Sequence, residues 1–404
     1  MACVQPFRGL RYNPEKFKDL SPLITPPFDV ISPEEQLGYY RRSPYNIIRL
    51  EFGEEWLDDS PGNNRYTRAA LTMDGWIRDG VLIRDEVPSF YLVEHRHLHH
   101  GSIKSTLGLI ARIRLEEWNG GHIRPHELTT EGPKSDRLRL LESLRANISP
   151  IMMAFRPDGG SPLFRNMARG VPDIYAVDGG GVRYSVWVVS DEAAIASVST
   201  LFADKNLYIL DGHHRYQTAL GYRSSMGDGA SDYVMVVLFD SEDPDLTILP
   251  THRLVRGVDV RGLEERLSPY FDIEEFPLPN PMDSILEGEG SALCLYGLGE
   301  GRLLLLTARR GALRGLDIGL LHWEVIEGIM GLDGEEGERL GYTHDAAEAI
   351  SRVDGGEYQL AFLITLPPIG SVLRVADAGV RMPLKSTYFY PKTPAGLVIN
   401  PIWD

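Results

Sequence analysis

The stretch Asn206–Leu220 reads NLYILDGHHRYQTAL and predicts a strand, a tight turn and a helix in direct succession. The apolar strand ends at Leu210, Asp211 can cap the helix, and Gly212 permits the turn. The helix is predicted over His213–Met226. Such a junction directs several backbone N–H groups and the positive end of the helix dipole at one point, where an anion can bind.

Segments with the patterns of strands and helices alternate along the rest of the chain. The other predicted strands, rich in β-branched and aromatic residues, are Asn46–Phe52, Phe90–Val93, Leu107–Leu115, Val182–Val189, Tyr233–Phe239, Ala292–Leu298, Arg302–Thr307 and Tyr358–Thr365. The other predicted helices are Arg65–Asp79, Ser135–Asn147, Gly262–Tyr270, Leu320–Gly328 and Asp345–Val353. Strands and helices are interleaved, but the strand at Leu107 follows another strand after only a turn. This order predicts an α+β or mixed α/β fold rather than a doubly wound sheet.

Two segments rich in glycine and proline mark candidate boundaries. Residues 157–181 are predicted to form surface loops, and residues 277–290, PLPNPMDSILEGEG, are predicted to form a linker. The sequence therefore predicts a composite N-terminal lobe over 1–276 and a C-terminal α/β lobe over 277–404.

The composition is that of an ordinary globular protein, with 404 residues, of which 43% are hydrophobic and 24% charged. A net charge of −16 argues against a protein dedicated to nucleic-acid binding. Cys3 and Cys294 are too few for a disulfide framework or a four-cysteine zinc module, and fit a reducing compartment. Because the sequence has neither an apolar signal core nor a long uncharged apolar run, we expect a cytoplasmic protein that does not enter a membrane.

The DGHHR segment is the sharpest candidate site. Arg215 would offer a planar fork to a phosphate group, with His213 and His214 beside it, and Asp211 could hold Mg²⁺ or steer a proton. The structural alternative is that Asp211 only caps the helix while the histidines and Arg215 make surface bonds. We favour a functional site, because these polar residues and Gly212 cluster between two apolar segments.

A second cluster comprises the Arg124–Glu127 segment, RPHE, and Gly132–Arg137, GPKSDR. Glu127 follows a proline-constrained turn, so its carboxylate is held on a fixed loop, as a general base requires. Lys134 and Arg137 supply positive charge. Taken alone, this cluster is explained better by a solvated turn acid at Glu127 and a simple helix cap at Ser135.

A third cluster is the C-terminal segment Met382–Lys392, MPLKSTYFYPK. Lys385, Ser386, Thr387 and Lys392 offer cationic and hydroxyl donors, and the aromatic run between them could stack on a base. The alternative, which is favoured when this segment is considered alone, is a strand whose aromatic side chains fill the core.

Three further features are less specific. His95, His97 and His99 alternate, so a strand would place them on one face, but no carboxylate or fourth metal ligand is implied by the spacing. Asp29 lies in a proline-stiffened loop before a capped helix start, which makes it a candidate substrate contact. The segment Pro250–Arg253 follows an apolar strand and could reach a ligand, although a buried polar corner is the more usual outcome. The sequence contains no Walker A loop, dinucleotide-binding glycine motif, zincin motif or nucleophile elbow.

The chain resembles a widespread bacterial and archaeal family known as a domain of unknown function. The resemblance rests on PPFDVIS at Pro26–Ser32, SPYNIIRL at Ser43–Leu50, the PHE segment, DGHHRY and the terminal KSTYFYPK. It extends from Phe7 to the last residues.

The order PHE, DGHHR and then a lysine-containing third motif also looks like that of free serine kinases, which share the fold of ParB-type partition proteins and sulfiredoxin. This resemblance implies a ParB/sulfiredoxin-like core, with Glu127 as the base and Asp211 as its acid/base or metal-holding partner. It also implies ATP or ADP as the nucleotide, with Mg²⁺. The resemblance implies a phosphate cradle of Gly212, His213, His214 and Arg215, and it matches Lys385, Ser386 and Thr387 to the third motif. We expect Lys134, Arg137 and Lys392 to contribute to nucleotide or phosphate binding as well, and His126 and Asp29 to contact the substrate.

Two departures from the kinase pattern concern the donor and the acceptor. The segment between Glu127 and Asp211 is longer here, and the third motif reads KSTYF, without the arginine and histidine of the relatives. The resulting hypothesis is phosphoryl transfer to a small hydroxylated acceptor, with free L-serine favoured. The main alternative is a ParB-like nucleotide-binding switch that phosphorylates no acceptor. A sulfiredoxin-like reaction is disfavoured, because His213 and His214 stand where sulfiredoxin carries its cysteine.

Overall fold

The computed structural model describes residues 3–118, 121–157, 163–227, 229–277, 293–299, 301–309, 317–332, 338–365 and 368–403. The chain forms two compact units. The first comprises Met1–Pro125, Thr129–Thr247 and Pro391–Asp404, and the second comprises His126–Leu128 and Ile248–Tyr390. The boundary predicted between 276 and 277 therefore falls inside the second unit. Except for Pro277, the linker predicted over 277–290 lies outside the described residues.

The elements are numbered in chain order. The strands are β1 (Val4–Gln5), β2 (Leu10–Tyr12), β3 (Leu82–Arg84), β4 (Phe90–His99), β5 (Ser102–Arg114), β6 (Ile123–Arg124), β7 (Ala146–Asn147), β8 (Ile151–Phe155), β9 (Ile174–Val177), β10 (Arg183–Val189), β11 (Leu207–Asp211), β12 (Tyr233–Asp240), β13 (Thr247–Leu249), β14 (His252–Val255), β15 (Phe271–Pro277), β16 (Leu293–Tyr296), β17 (Arg302–Ala308), β18 (Leu340–Thr343), β19 (Leu360–Ile364), β20 (Tyr388–Tyr390) and β21 (Asn400–Pro401). The helices are α1 (Pro33–Arg42), α2 (Ile48–Glu51), α3 (Arg65–Arg78), α4 (Glu131–Leu144), α5 (Leu163–Met167), α6 (Glu192–Phe202), α7 (His213–Met226), α8 (Leu263–Leu267), α9 (Asp317–Gly319), α10 (Ala346–Asp354) and α11 (Ile369–Asp377). A 3₁₀ turn covers Phe28–Val30, and a π-helix over Leu320–Ile329 follows α9 directly.

The first unit is built on a mixed sheet. Its strand order is β6–β11–β8–β12–β5–β4–β10–β9, with β1 beside β5. The pairs β6–β11 and β8–β12 are parallel and the other pairs are antiparallel. Phe155, Phe202 and Leu238 are fully buried in its core. The α+β or mixed α/β prediction is confirmed.

The second unit contains a six-stranded sheet in the order β15–β17–β16–β19–β14–β18, in which every pair is antiparallel. Leu295, Leu321 and Phe362 are fully buried in its core. The helix α10 begins with Asp345, whose side chain accepts hydrogen bonds from the backbone N–H groups of Ala347 and Glu348. No described helix of either unit is long and apolar enough to cross a membrane.

The prediction of a strand over Asn46–Phe52 is wrong, because the structure has the short helix α2 there. The Asn46 side chain donates to the carbonyl of Pro22 at 2.8 Å and accepts from the N–H of Ile48 at 2.9 Å, which turns the chain. A short apolar run cannot by itself distinguish a buried helix from a strand. The predicted surface loops at 157–181 also contain α5 and β9.

Candidate functional site

The strand–turn–helix prediction is confirmed, since β11 ends at Asp211 and α7 begins at His213. Gly212 between them adopts φ 93° and ψ 28°, a left-handed conformation that favours glycine. A Cβ atom at Gly212 would lie 3.0 Å from Nε of Arg215. The N-cap residue of α7 is Gly212, so Asp211 does not occupy the capping position that the sequence offered as one alternative.

The carboxylate of Asp211 instead binds two cations. Nη2 of Arg215 lies 2.5 Å from Oδ2 of Asp211, and Nζ of Lys392 lies 2.8 Å from Oδ1. Lys392 also contacts Oδ2 of Asp29 at 2.7 Å. Nη1 of Arg215 donates to the carbonyl of Pro150 at 2.6 Å. Four predicted site residues from three distant parts of the chain are thus brought together within the first unit.

Burial and charge act in opposite directions on this cluster. Burial alone would lower the pKa of the Lys392 ammonium, but the carboxylates of Asp211 and Asp29 outweigh it and the pKa is raised. Burial alone would raise the pKa of Asp29, but Lys392 and Arg215 lower it to about 2. Lys392 and Asp29 are therefore both charged at neutral pH.

Arg137 is buried beside this cluster and contacts other groups of the protein. Its Nε donates to Asp136 at 2.7 Å, and its Nη1 donates to the carbonyl of Glu51 at 2.8 Å. The Glu51 carboxylate, which accepts from the Ser149 hydroxyl at 3.0 Å, is 1% exposed. Burial raises the pKa of Glu51, opposed by the charges of Arg137 and Arg215. Sequence reasoning missed Glu51, although a single acid within the apolar run IIRLEF was a detectable signal.

The two histidines of the DGHHR segment have different surroundings. His213 is buried, whereas His214 is partly exposed and its Nε2 accepts the backbone N–H of Thr130 at 2.9 Å. Burial, together with the charge of Lys134, lowers the pKa of His214, which fits this acceptor role. Thr130 is the N-cap residue of α4, and Lys134 lies in the first part of that helix. His214 thus links the starts of α4 and α7.

The PHE and KST segments meet in the second unit. Glu127 forms a parallel bridge with Met382, whose N–H donates to the carbonyl of His126 at 2.6 Å. His126 is 1% exposed, and its Nε2 lies 2.9 Å from Oγ1 of Thr387. Two motifs separated by more than 250 residues are therefore joined by backbone and side-chain bonds.

The other residues of the KST segment are placed by local contacts. Lys385 has a positive φ of 55°, and its Nζ lies 4.4 Å from the centre of the Tyr342 ring. Ser386 is buried, and its hydroxyl donates to the carbonyl of Pro383 at 2.6 Å. Phe389 is buried, which agrees with the alternative in which the aromatic side chains of this segment fill the core. Tyr388 packs on His344, with ring centres 3.8 Å apart.

The alternating histidines lie on one face of β4, as predicted. His95 and His97 are buried, and Nε2 of His95 lies 3.3 Å from Oγ1 of Thr393. Nε2 of His97 lies 3.4 Å from Oγ1 of Thr247. Across the described part of the chain, no group of three or more histidine, cysteine, aspartate or glutamate side chains is arranged to hold a metal ion.

The donor set around Asp211 does not fit the predicted Mg²⁺. Mg²⁺ is bound by oxygen ligands at 2.0–2.1 Å in near-ideal octahedral geometry. Both carboxylate oxygens of Asp211 already contact a cationic side chain, Arg215 on one and Lys392 on the other. Arg215 and Lys392 therefore occupy both oxygens of the Asp211 carboxylate, which is not left open to a divalent cation.

Comparison with known proteins gives the family. Residues 4–319 match the profile described as "Protein of unknown function (DUF1015)". The chain belongs to this family. No curated protein is significantly similar to this DUF1015 chain.

Among solved structures, this DUF1015 chain is similar to a conserved hypothetical protein from Pyrococcus furiosus, with 16% identity, a TM-score of 0.39 and coverage of 68% of this chain and 90% of that one. A free serine kinase in complex with AMP matches with 16% identity and a TM-score of 0.39 over 66% of this chain and 83% of that one. SbnI with a C-terminal truncation, from Staphylococcus aureus, matches with 11% identity and a TM-score of 0.35 over 67% and 81%. Likeness at this level assigns no function, and the relation to ParB-type proteins and sulfiredoxin stays a prediction.

Proposed function

We propose that this protein is a phosphotransferase that moves a phosphoryl group from ATP or ADP to a small hydroxylated acceptor, with free L-serine favoured. The observation that carries the proposal is the β11–Gly212–α7 junction. It combines a left-handed glycine, a fourteen-residue helix for which that glycine is the N-cap residue, and Arg215 in the first turn. Helix starts of this kind bind phosphate through backbone N–H groups and the helix dipole.

The residues proposed to bind the nucleotide belong to the first unit. Gly212, His213 and His214 would supply the turn that receives the phosphates, and Arg215 would supply the planar charge. Arg215 is oriented by its bonds to Asp211 and to the carbonyl of Pro150. Lys134 and Arg137 stay within the proposal as neighbouring positive charge.

The residues proposed to act on the acceptor belong to the second unit. Glu127 would accept the hydroxyl proton, since its backbone is held by the bridge to Met382. His126 and Thr387, which contact each other, would position the acceptor. Lys385 would add positive charge for the transferred phosphoryl group.

The test is to incubate the full chain with ATP or ADP and L-serine, with and without added Mg²⁺, and to measure O-phosphoserine. We expect Glu127→Gln to reduce the turnover rate about 10²- to 10⁴-fold, because general-base catalysis contributes about that much. Arg215→Met should raise the KM for nucleotide more than it lowers kcat. Glu142→Gln is the matched control, since Glu142 is an exposed acid of α4 outside the proposed site.

Three results would contradict the proposal or a part of it. If no amino acid or small alcohol is phosphorylated, the reaction class is wrong. Nucleotide binding without any acceptor phosphorylation would favour the ParB-like switch instead. Equal activity of Glu127→Gln and Glu142→Gln would remove Glu127 from the reaction.

A further inference from the structure

Lys392 lies in the C-terminal segment of the first unit, and several side chains contact that segment. Nε2 of His95 lies 3.3 Å from Oγ1 of Thr393. The hydroxyl of Tyr184, which is 2.9 Å from Oδ2 of Asp178, also lies 3.3 Å from the carbonyl oxygen of Lys392. His95 packs edge-on against Tyr184 with ring centres 5.1 Å apart. These contacts lie at Lys392 and its neighbour Thr393, and the Lys392 side chain is 7% exposed.

The ammonium group of Lys392 occupies the position between two carboxylates. Its Nζ lies 2.7 Å from Oδ2 of Asp29 and 2.8 Å from Oδ1 of Asp211. Oδ2 of Asp211 contacts Arg215. Two negative charges and two positive charges are therefore matched within the cluster.

This arrangement opposes the binding of a second cation. A divalent ion on Asp211 would lie close to Lys392 and Arg215, and like charges a few ångströms apart repel strongly in a site shielded from water. The Lys392 ammonium is held in this position by its ion pairs with Asp29 and Asp211, and its side chain is buried.

We propose that Lys392 is the resident cation of the Asp29–Asp211 carboxylate pair, and that it takes the place that a divalent metal would otherwise fill. Lys392 is a positioning residue: it holds the Asp211 carboxylate, which in turn holds the guanidinium of Arg215. Asp211 is then not a magnesium ligand in the nucleotide-free protein. This inference concerns the nucleotide-free protein and does not depend on phosphoryl transfer.

The experiment is a titration of the nucleotide-free full chain with Mn²⁺, followed by electron paramagnetic resonance of the free ion. The wild-type protein and Asp211→Asn should give the same isotherm, since Asp211 contributes no metal site. Lys392→Gln removes the charge and keeps a hydrogen-bonding side chain of similar reach. We expect the Lys392→Gln variant to bind one additional Mn²⁺ at the Asp29–Asp211 pair. Its affinity there should be at least about tenfold higher than that of the wild type at the same position, because one repelling charge is gone. The added site should compete with Mg²⁺ and disappear in the Lys392→Gln/Asp211→Asn double variant.

Two controls separate this effect from a general loss of positive charge. Lys104→Gln removes a lysine that pairs with Asp245 at 3.2 Å on the surface, and should leave the isotherm unchanged. Lys392→Arg keeps the charge and should bind Mn²⁺ as the wild type does.

The inference is overturned if the wild-type protein binds a stoichiometric Mn²⁺ that Asp211→Asn abolishes. It is also overturned if folded Lys392→Gln, verified by circular dichroism, gains no site. Should Lys392→Gln fail to fold, the comparison of wild type with Asp211→Asn decides the question alone. A failed metal prediction leaves the serine assay unaffected, so the two proposals are distinguishable.

Discussion

Gly212→Ala is the substitution that tests the β11–α7 junction most directly. Two costs add at this position. An alanine at φ 93° takes a left-handed conformation, which costs about 1–2 kcal/mol. Its Cβ would also lie 3.0–3.1 Å from Nε, Cζ and Nη2 of Arg215, so the guanidinium must shift. A shifted guanidinium weakens its charged hydrogen bond to Asp211, and such bonds contribute about 1.5–3 kcal/mol. We expect the free energy of unfolding of the first unit to fall by about 3 kcal/mol.

Two other glycines of the same helix serve as matched controls. Gly227, the C-cap of α7, has φ 65°, and a Cβ atom there meets nothing within 4 Å. Gly227→Ala should therefore show only the backbone cost, about 1–2 kcal/mol. Gly221 lies inside α7, where a Cβ atom also meets nothing within 4 Å. Gly221→Ala should stabilise the unit by about 0.5–1 kcal/mol, because alanine is the better helix former.

Urea unfolding followed by tryptophan fluorescence is the assay. Of the six tryptophans, only Trp323 belongs to the second unit, so the signal is dominated by the first. Trp118 packs on Tyr216 of α7, with ring centres 4.8 Å apart, and reports on this helix directly. If Gly212→Ala costs no more than Gly227→Ala, then Arg215 is not held as described and the steric part of the reasoning is refuted.

Two further predictions concern other parts of the molecule. Burial, with a smaller contribution from the charge of His97, lowers the pKa of His95 from 6.5 to about 3. Between these values the unfolded chain binds a proton that the folded chain does not, so stability falls as the pH falls. Lowering the pH from 8 to 5 should cost about 2 kcal/mol more in the wild type than in His95→Gln, measured by urea unfolding at each pH. Identical pH slopes would contradict the neutral, buried histidine. In the second unit, Asp345→Ala removes the N-cap of α10 and should cost about 1 kcal/mol, measured as faster hydrogen exchange in that helix. Unchanged exchange would mean that the cap contributes nothing.

Much of the fold could be predicted from local patterns. The helix at His213–Met226 agrees residue for residue with its prediction, and the strands at Tyr233 and Arg302 agree to within one residue at each end. The spacing of apolar residues and the glycine at a turn are local features of these segments. Their secondary structure can therefore be predicted without knowledge of any distant contact. Asn46–Phe52 failed because its fold depends on a hydrogen bond from Asn46 to the distant carbonyl of Pro22.

The candidate site, too, was predictable from the sequence only in its local features. By itself the sequence determined the strand–Gly212–helix junction and the residue types that surround it, because a turn glycine and a helix period are local properties. Only the tertiary structure decided that Lys392 lies between Asp29 and Asp211, and that Glu51 is buried against Arg137. Ion pairing joins residues that are hundreds of positions apart, and no local pattern encodes which carboxylate a buried lysine will meet. The Asp211 that the sequence offered as a cap or a metal ligand is, in the folded chain, a carboxylate held by two cations.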